Sequence, residues 1–247
     1  MRHGLYFLLL LALTMNPVKH GVATTGDNFA MRDAISEDIK ALITQLRSTD
    51  ASSRQRAAFD LGRNGQRAQS ALNDLMQLMN ADDSPDVRVT AAEAVSLIEG
   101  NGSNAIPALK TQLRSDIGGV KRLEQQVERN ADDTTLNALF DSLGRIEKTI
   151  NVIASIGASA ADAAPLLVDI LDTDLGSGYR DLVPSVARAL QAMGPAAVSI
   201  LPDLEDYAKT KRGIQNRATI NAAIDSIQGK TQKVPPSEPL TDIDTAQ

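Results

Sequence analysis

The chain has 247 residues, of which 43% are hydrophobic, 23% charged and 3% aromatic, with no Trp and no Cys. That balance fits one ordinary soluble domain or two small ones, and a core so poor in rings must be built from Ala, Leu, Ile and Val, which favours packed helices over stacked sheets. The net charge of −6 argues against a general nucleic-acid binder, which needs a basic stripe, and against electrostatic docking on anionic lipid.

At the N-terminus, Arg2 and His3 precede an unbroken apolar run from Leu5 to Leu13. A stable bilayer span needs about 20 residues, so this run has the length of a signal-peptide core instead. Asn16-Pro17 interrupts it, and Gly21-Val22-Ala23 offers small residues for cleavage ahead of Thr24. The expectation is a signal peptide over 1–23 and a linker over 24–35. The mature chain would then be periplasmic or secreted, with no stable membrane insertion. A retained anchor or a buried first helix is the alternative. Cleavage would remove Arg2, Lys19 and both histidines, taking the basic count from 25 to 23 against 31 acids, a net charge of −8. The absence of Cys closes off a lipoprotein anchor and disulfides, leaving packing as the source of stability.

From residue 36 onward one pattern returns. Ser36, followed by Glu37-Asp38, reads as the N-cap of a helix reaching Leu46. A second helix carries Ala57-Ala58 and Leu61 and ends at a hinge, Gly65. Further hinges are read at Glu99, Gly157 and Gly194. Eight positions after each hinge comes a helix start: Asn73, Pro107, Pro165 and Pro202. Each start is preceded by an apolar residue (Leu72, Ile106, Ala164, Leu201) and followed two positions later by Leu (Leu75, Leu109, Leu167, Leu204). Met79, Leu113, Leu171 and Ala208 continue that face one turn on. Glycine supplies the left-handed backbone that ends a helix, and proline fits the first turn of the next. Ala91-Ala92 with Val95, and Val186-Ala187 with Leu190, stand at the same distances from their hinges as Ala57-Ala58 with Leu61. Between the two helices of one unit, Asp82-Asp83-Ser84-Pro85-Asp86 reads as a turn and N-cap with acids at the positive helix end.

The starts are separated by 34, 58 and 37 residues. A unit near 36 leaves about 22 inserted residues in the long interval. Asp116-Ile117-Gly118-Gly119 is expected to break the first helix of the third unit. Val120 to Arg129 then reads as an extra helix, with Val120, Leu123 and Val127 on one side. Asn130 to Thr135 reads as a turn. Leu136, Leu139, Leu143, Ile146, Ile150 and Ile153 follow at helical spacings on a long helix. The insertion, about 116–135, is thus an added helical hairpin that packs on itself or forms a docking surface. Asn216 to Ile227 closes the array, and the Pro-rich, acidic tail over 230–247 is expected to be disordered.

Asp86-Val87-Arg88-Val89-Thr90-Ala91-Ala92-Glu93-Ala94-Val95, Ala105-Ile106-Pro107-Ala108-Leu109 and Ser53-Arg54-Gln55-Arg56-Ala57-Ala58-Phe59-Asp60-Leu61-Gly62 carry a resemblance to the HEAT-repeat superfamily, in its short phycobilisome-lyase-type units. Ala163-Ala164-Pro165-Leu166-Leu167 and Ile200-Leu201-Pro202-Asp203-Leu204 match the start of the first helix. The resemblance spans roughly 36–229 and implies an all-α fold, a right-handed α-solenoid (alpha-alpha superhelix) of about five HEAT-like helix pairs with one inserted helical hairpin. It speaks to fold far more than to function, because the scaffold serves unrelated proteins.

The residue inventory is poor in chemistry. A mature chain without His or Cys has no material for the usual zinc sites, for Ser-His-Asp or Cys-His nucleophilic sets, or for His-ligated haem. Gly176-Ser177-Gly178 is too short to cradle a phosphate. Asp82-Asp83 and Asp132-Asp133 are the pairs available for acid–base work, yet adjacent acids at helix starts read first as caps. Asn80, Asp82, Ser84 and Asp86 place oxygens at alternate positions, but the calcium-loop Gly and distal Glu are missing. No catalytic, cofactor or metal site is therefore assigned. Candidate partner-binding residues are Arg54, Arg88, Arg188 and Arg217 on second helices, and Tyr179. The arginines could form a ladder of carboxylate-binding forks, or pair internally with acids such as Asp50 or Asp83. Tyr207 is a contact anchor or a core-edge residue. The resulting expectation is an exported scaffold or adaptor that binds a protein or peptide partner through second-helix side chains. The alternatives are a lyase-like or chaperone protein handling a small ligand or chromophore, and a structural envelope component.

Overall fold

The computed structural model describes residues 37–173, 175 and 181–230. The described residues from Ile39 onward form one compact unit. The expected signal peptide, the linker, Ser36, Tyr179, Gly176-Ser177-Gly178 and the tail beyond Lys230 lie outside the described residues.

Every regular element among the described residues is helical. The chain is helical over 37–45 (α1), then forms α2 (Ala51–Asn64), α3 (Leu72–Ala81), α4 (Pro85–Glu99), α5 (Ala105–Arg129) and α6 (Asp133–Ile156). It continues with α7 (Ala164–Asp172), α8 (Val183–Met193), α9 (Leu201–Lys209), the short α10 (Lys211–Gln215) and α11 (Arg217–Ile227). Within the unit from Ile39 onward, the second helices of the repeats, α2, α4, α6, α8 and α11, pack side by side in that order as the second layer. The first helices, α3, α5, α7 and α9, form the first layer that covers it, each lying on the partner that follows it in its repeat. The recurring apolar positions meet at that seam. None of Ala57, Ala58, Leu61, Ala91, Ala92, Val95, Val186, Ala187 or Leu190 is more than 1% exposed, nor are Leu75, Leu109, Leu167 and Leu204. Ala at the closest approaches allows it: a Cβ built on Gly62 of α2 would stand 3.0 Å from the Ala94 Cα of α4.

The hinge glycines share one backbone conformation. Gly65 (φ 53°, ψ −136°), Gly157 (φ 68°, ψ −134°) and Gly194 (φ 54°, ψ −141°) end α2, α6 and α8. That region of dihedral space is accessible essentially only to glycine. Each opens a 3₁₀ segment of seven residues leading straight into the next first-layer helix. The expected starts Asn73, Pro165 and Pro202 are the second residues of their helices, and Pro107 is the third. The hinge read at Glu99 is corrected. Glu99 is the last residue of α4, and the left-handed residue is Gly100 (φ 76°, ψ −2°). A glutamate cannot adopt the Gly65 conformation at low cost, so the turn moves one residue on. A loop with a second positive-φ glycine, Gly102, replaces the 3₁₀ segment.

The expected break at Asp116–Gly119 does not occur. α5 runs unbroken for 25 residues through both glycines, and α6 is 24 residues long. The extra length is therefore an elongation of one hairpin rather than an added helix pair. Each interior glycine costs about 1 kcal/mol relative to Ala, but α5 and α6 pack together and fully bury Leu113, Val120, Leu139 and Leu143. Burying each such side chain returns about 1.5–3 kcal/mol. Toward the tip Leu123, Val127 and Leu136 are only half-buried, which is the packing of a hairpin on itself. Among the described residues, the stretch Asp133–Asp172 is long and apolar enough to cross a membrane by length and composition, but it contains the Gly157 kink and contributes Ile146, Ile150 and Ile153 to the protein core.

Candidate functional site

A ladder of polar groups crosses the layers at the N-terminal ends of the second-layer helices. Arg54, in the first turn of α2, grips Asp82 with both edges of its fork, Nε to Oδ2 at 2.7 Å and Nη2 to Oδ1 at 2.8 Å. Its Nη1 donates to the carbonyls of Ser48 (2.9 Å) and Thr49 (3.1 Å). The bond from Arg54 holds the Asp82 carboxyl below the usual carboxylate range, and Asp82 in turn raises the guanidinium. Asp82 also accepts from the Ser84 amide at 2.9 Å. One rung on, Arg88 donates from Nη1 to the Asp82 carbonyl and from Nε to Gln112 Oε1 at 2.8 Å. Gln112 passes the chain to Asp116 (2.9 Å), which pairs with Arg145 at 3.0 Å. Arg145 returns to Asp86 at 3.4 Å.

This wiring revises several sequence expectations. Arg54 and Arg88 do form a ladder, but their forks are spent inside the protein. The Arg54 partner is Asp82, not Asp50 or Asp83. The side chain of Ser84 makes no capping bond; Asp82 takes over that role at its amide. Asp50 and Asp132 are true caps, accepting from the amides of Ser53 (2.7 Å) and Thr135 (2.8 Å); the Ser53 hydroxyl and then its amide lower the Asp50 carboxyl, and the Thr135 amide and then its hydroxyl lower that of Asp132. The calcium reading of Asn80, Asp82, Ser84 and Asp86 fails on geometry. Asn80 turns back to the Met76 carbonyl, Asp82 is held by Arg54, and Asp86 faces Arg145. Arg217 stands exposed at the first position of α11, far along the array from this ladder. Tyr207 is 3% exposed, and burial with nearby Asp181 and Asp172 pushes its phenol up to about 12.

The outward face of the second-layer helices is different in character. On α2 the residues opposite the Ala57-Ala58-Leu61 stripe are Ser52, Gln55, Arg56, Phe59 and Arg63. Phe59 is 45% exposed, and the Arg63 guanidinium lies 5.9 Å above its ring centroid. On α4, Leu97 is 48% exposed and leans across Gly62 toward α2. Lys148 of α6 reaches back to Thr90 of α4 at 2.7 Å, and Gln55 of α2 meets the same hydroxyl at 3.3 Å. Ser52, Gln55, Arg56, Phe59, Thr90 and Lys148 line a depression of about 450 Å³. Further along, Arg188 of α8 donates to Asn151 of α6 at 3.5 Å, so this sequence-predicted residue does sit on the face. Sequence reading missed Phe59, Leu97 and Lys148. An aromatic at helical spacing opposite a buried Ala stripe could have pointed to Phe59; the meeting of Lys148 with Thr90 could not be read from residues so far apart.

The architecture is that of stacked helix pairs sharing one two-layer core. Residues 39–127 match the family model for HEAT repeats. Among solved structures, an engineered protein is 19% identical, with the match covering 78% of this chain and 97% of that one at a TM-score of 0.32. None of the curated proteins matches the chain.

Proposed function

We propose that this protein is an exported, non-catalytic scaffold that holds a protein or peptide along the outward face of its second-layer helices. One observation carries the reading: consecutive helices α2, α4, α6 and α8 present Phe59, Leu97, Lys148, Asn151 and Arg188 side by side on a face that the first layer leaves uncovered. HEAT repeats are commonly protein-interaction scaffolds, and solenoids use such extended surfaces for binding. Clustered exposed apolar groups with a cationic rim mark contact sites. A right-handed superhelix of about five pairs, of the phycobilisome-lyase type, is the arrangement proposed for the repeats. Export is supported by the apolar run from Leu5 to Leu13 and the small residues Gly21-Val22-Ala23.

Photo-crosslinking tests the binding reading. A photoreactive side chain at Leu97 or Asn151 of the full chain, expressed in its source cells, should give discrete high-mass adducts. The same probe at Gln126, on the hairpin, serves as the comparison. Adducts at Gln126 with none at Leu97 and Asn151 would move the function to the hairpin. N-terminal sequencing of the mature protein tests export: a start at Thr24 is expected, and an intact Met1 in the soluble cell interior would refute it.

A further inference from the structure

The depression between α2, α4 and α6 has an imbalance of hydrogen-bonding groups. The Thr90 hydroxyl spends its proton on the Asp86 carbonyl at 2.8 Å. Its oxygen then receives both Lys148 Nζ at 2.7 Å and Gln55 Nε2 at 3.3 Å, which fills its two lone pairs. An ammonium carries three N–H groups and a carboxamide two, so Lys148 and Gln55, which both line the depression, have donors beyond those bound to Thr90. Arg56 lines the same space and binds Asp60 at 3.0 Å through Nε alone, leaving its Nη groups. The Ser52 hydroxyl adds a further donor. Glu93 forms a loose ion pair with Lys148 at 4.0 Å, beyond hydrogen-bond reach. The site is rich in donors and short of acceptors.

Its charge runs against that of the chain. Arg56, Arg63 and Lys148 outnumber Asp60 and Glu93 here by one, in a protein whose net charge is −6. One surplus positive charge fits a single carboxylate. A phosphate dianion would be repelled by Asp60 and Glu93 once the surplus was neutralised. Beside the donors, Phe59 and Leu97 expose nearly half of their surfaces, and Leu97 reaches α2 at Gly62, one turn beyond Phe59. An anion seat and an apolar step therefore lie next to each other.

From this juxtaposition we infer that the face takes an acidic–apolar segment of a protein partner. An Asp or Glu carboxylate accepts from Lys148, Gln55 and Arg56, and an adjacent Leu, Ile or Phe packs on Phe59 and Leu97. The inference rests on the scaffold reading and adds the chemistry of what is bound. The acidity of the rest of the chain sharpens it, because an acidic segment is repelled elsewhere and drawn to this patch.

Selection of a random-peptide phage library on the full-length protein tests it. Enriched peptides should pair an acidic residue with an aliphatic or aromatic neighbour. A synthetic peptide of the enriched sequence should bind at least about tenfold more weakly to Lys148→Glu, the effect of losing one charge-assisted contact. Phe59→Ser should weaken it comparably, and added salt should weaken the wild type. Both positions are partly exposed, so circular dichroism and urea unfolding should be unchanged; Arg63→Glu is the substitute if either variant misfolds. Enriched peptides without acids, or acidic peptides indifferent to both substitutions, would overturn the inference. If such peptides still crosslink at Leu97 or Asn151, the scaffold reading survives alone. No enrichment together with no crosslinking sinks both.

Discussion

Removing the Asp82 carboxylate would strand the Arg54 guanidinium, which is only 14% exposed at its side chain. A buried ion left without its partner typically costs about 3–5 kcal/mol. Asp82→Ala should therefore lower the urea midpoint by the equivalent of about 3 kcal/mol. In a double-mutant cycle with Arg54→Met, the second substitution should cost much less in the Asp82→Ala background than alone. The pH dependence follows in sign. Asp82, Asp50 and Asp132 all have carboxyls held below their unfolded value by bonds they accept. Their stabilisation is complete above the unfolded carboxylate pKa of about 4 and is lost as pH falls through the lower folded values. Acid titration of the unfolding free energy should steepen there, and less so in Asp82→Ala. Tyr207 gives the alkaline counterpart. Its hydroxyl is buried with no hydrogen-bond partner among the described residues, and its ionisation is pushed up to about 12. The folded state resists that ionisation, so stability is held below the unfolded phenol value of about 10 and falls as pH rises beyond it. Tyr207→Phe removes an unsatisfied polar group and should raise stability by about 1 kcal/mol at neutral pH, while flattening the alkaline decline.

At the scale of the element, α5 shows how a helix survives its own sequence. Gly118 and Gly119 sit in its interior, and a Cβ at Gly119 would meet nothing within 4 Å. Gly119→Ala should stabilise the protein by about 0.5–1 kcal/mol, read as a higher urea midpoint with an unchanged slope. A loss of stability there would mean that the glycine is needed for a bend. The hinge glycines respond in the opposite sense. Gly157→Ala forces a side chain into a backbone conformation reserved for glycine, with the Ala192 carbonyl 3.3 Å from the new Cβ, and should destabilise.

At the scale of the molecule, no helix pair carries its own core. The α8 side chains Val186, Leu190 and Met193 are all but fully buried, and α11 is the helix that closes this end of the layer. Ending the chain after Met193 removes Ile220, Ala223 and Ile227 from contact with that layer. At about 1.5–3 kcal/mol for each large apolar side chain, the truncated protein should lose at least about 3 kcal/mol. Calorimetry should show a lower melting temperature for the rest of the array as well. If the shortened chain melts with the whole, the units do not shelter one another.

The residues by themselves determined a great deal here. Apolar side chains at helical spacing, glycine at the hinges and Leu two positions past each start dictate helix pairs that must stack, because each pair leaves an oily side open. That reading located the starts of α3, α7, α9 and α11 to within a residue, and it placed the long α5–α6 hairpin in the right interval. It erred at Gly118-Gly119, where local propensity lost to the burial of Val120 and Leu139 between two helices. It erred at Glu99, where the backbone moved the turn to the residue able to adopt it. The tertiary structure alone decided the fate of the arginines. Arg54 and Arg88 look like binding forks until folding brings Asp82 and Gln112 to them, whereas Lys148, unremarked in the sequence, ends with donors to spare. Partner choice for a long charged side chain depends on which helix becomes its neighbour, and that is a property of the packed layers rather than of any window of sequence.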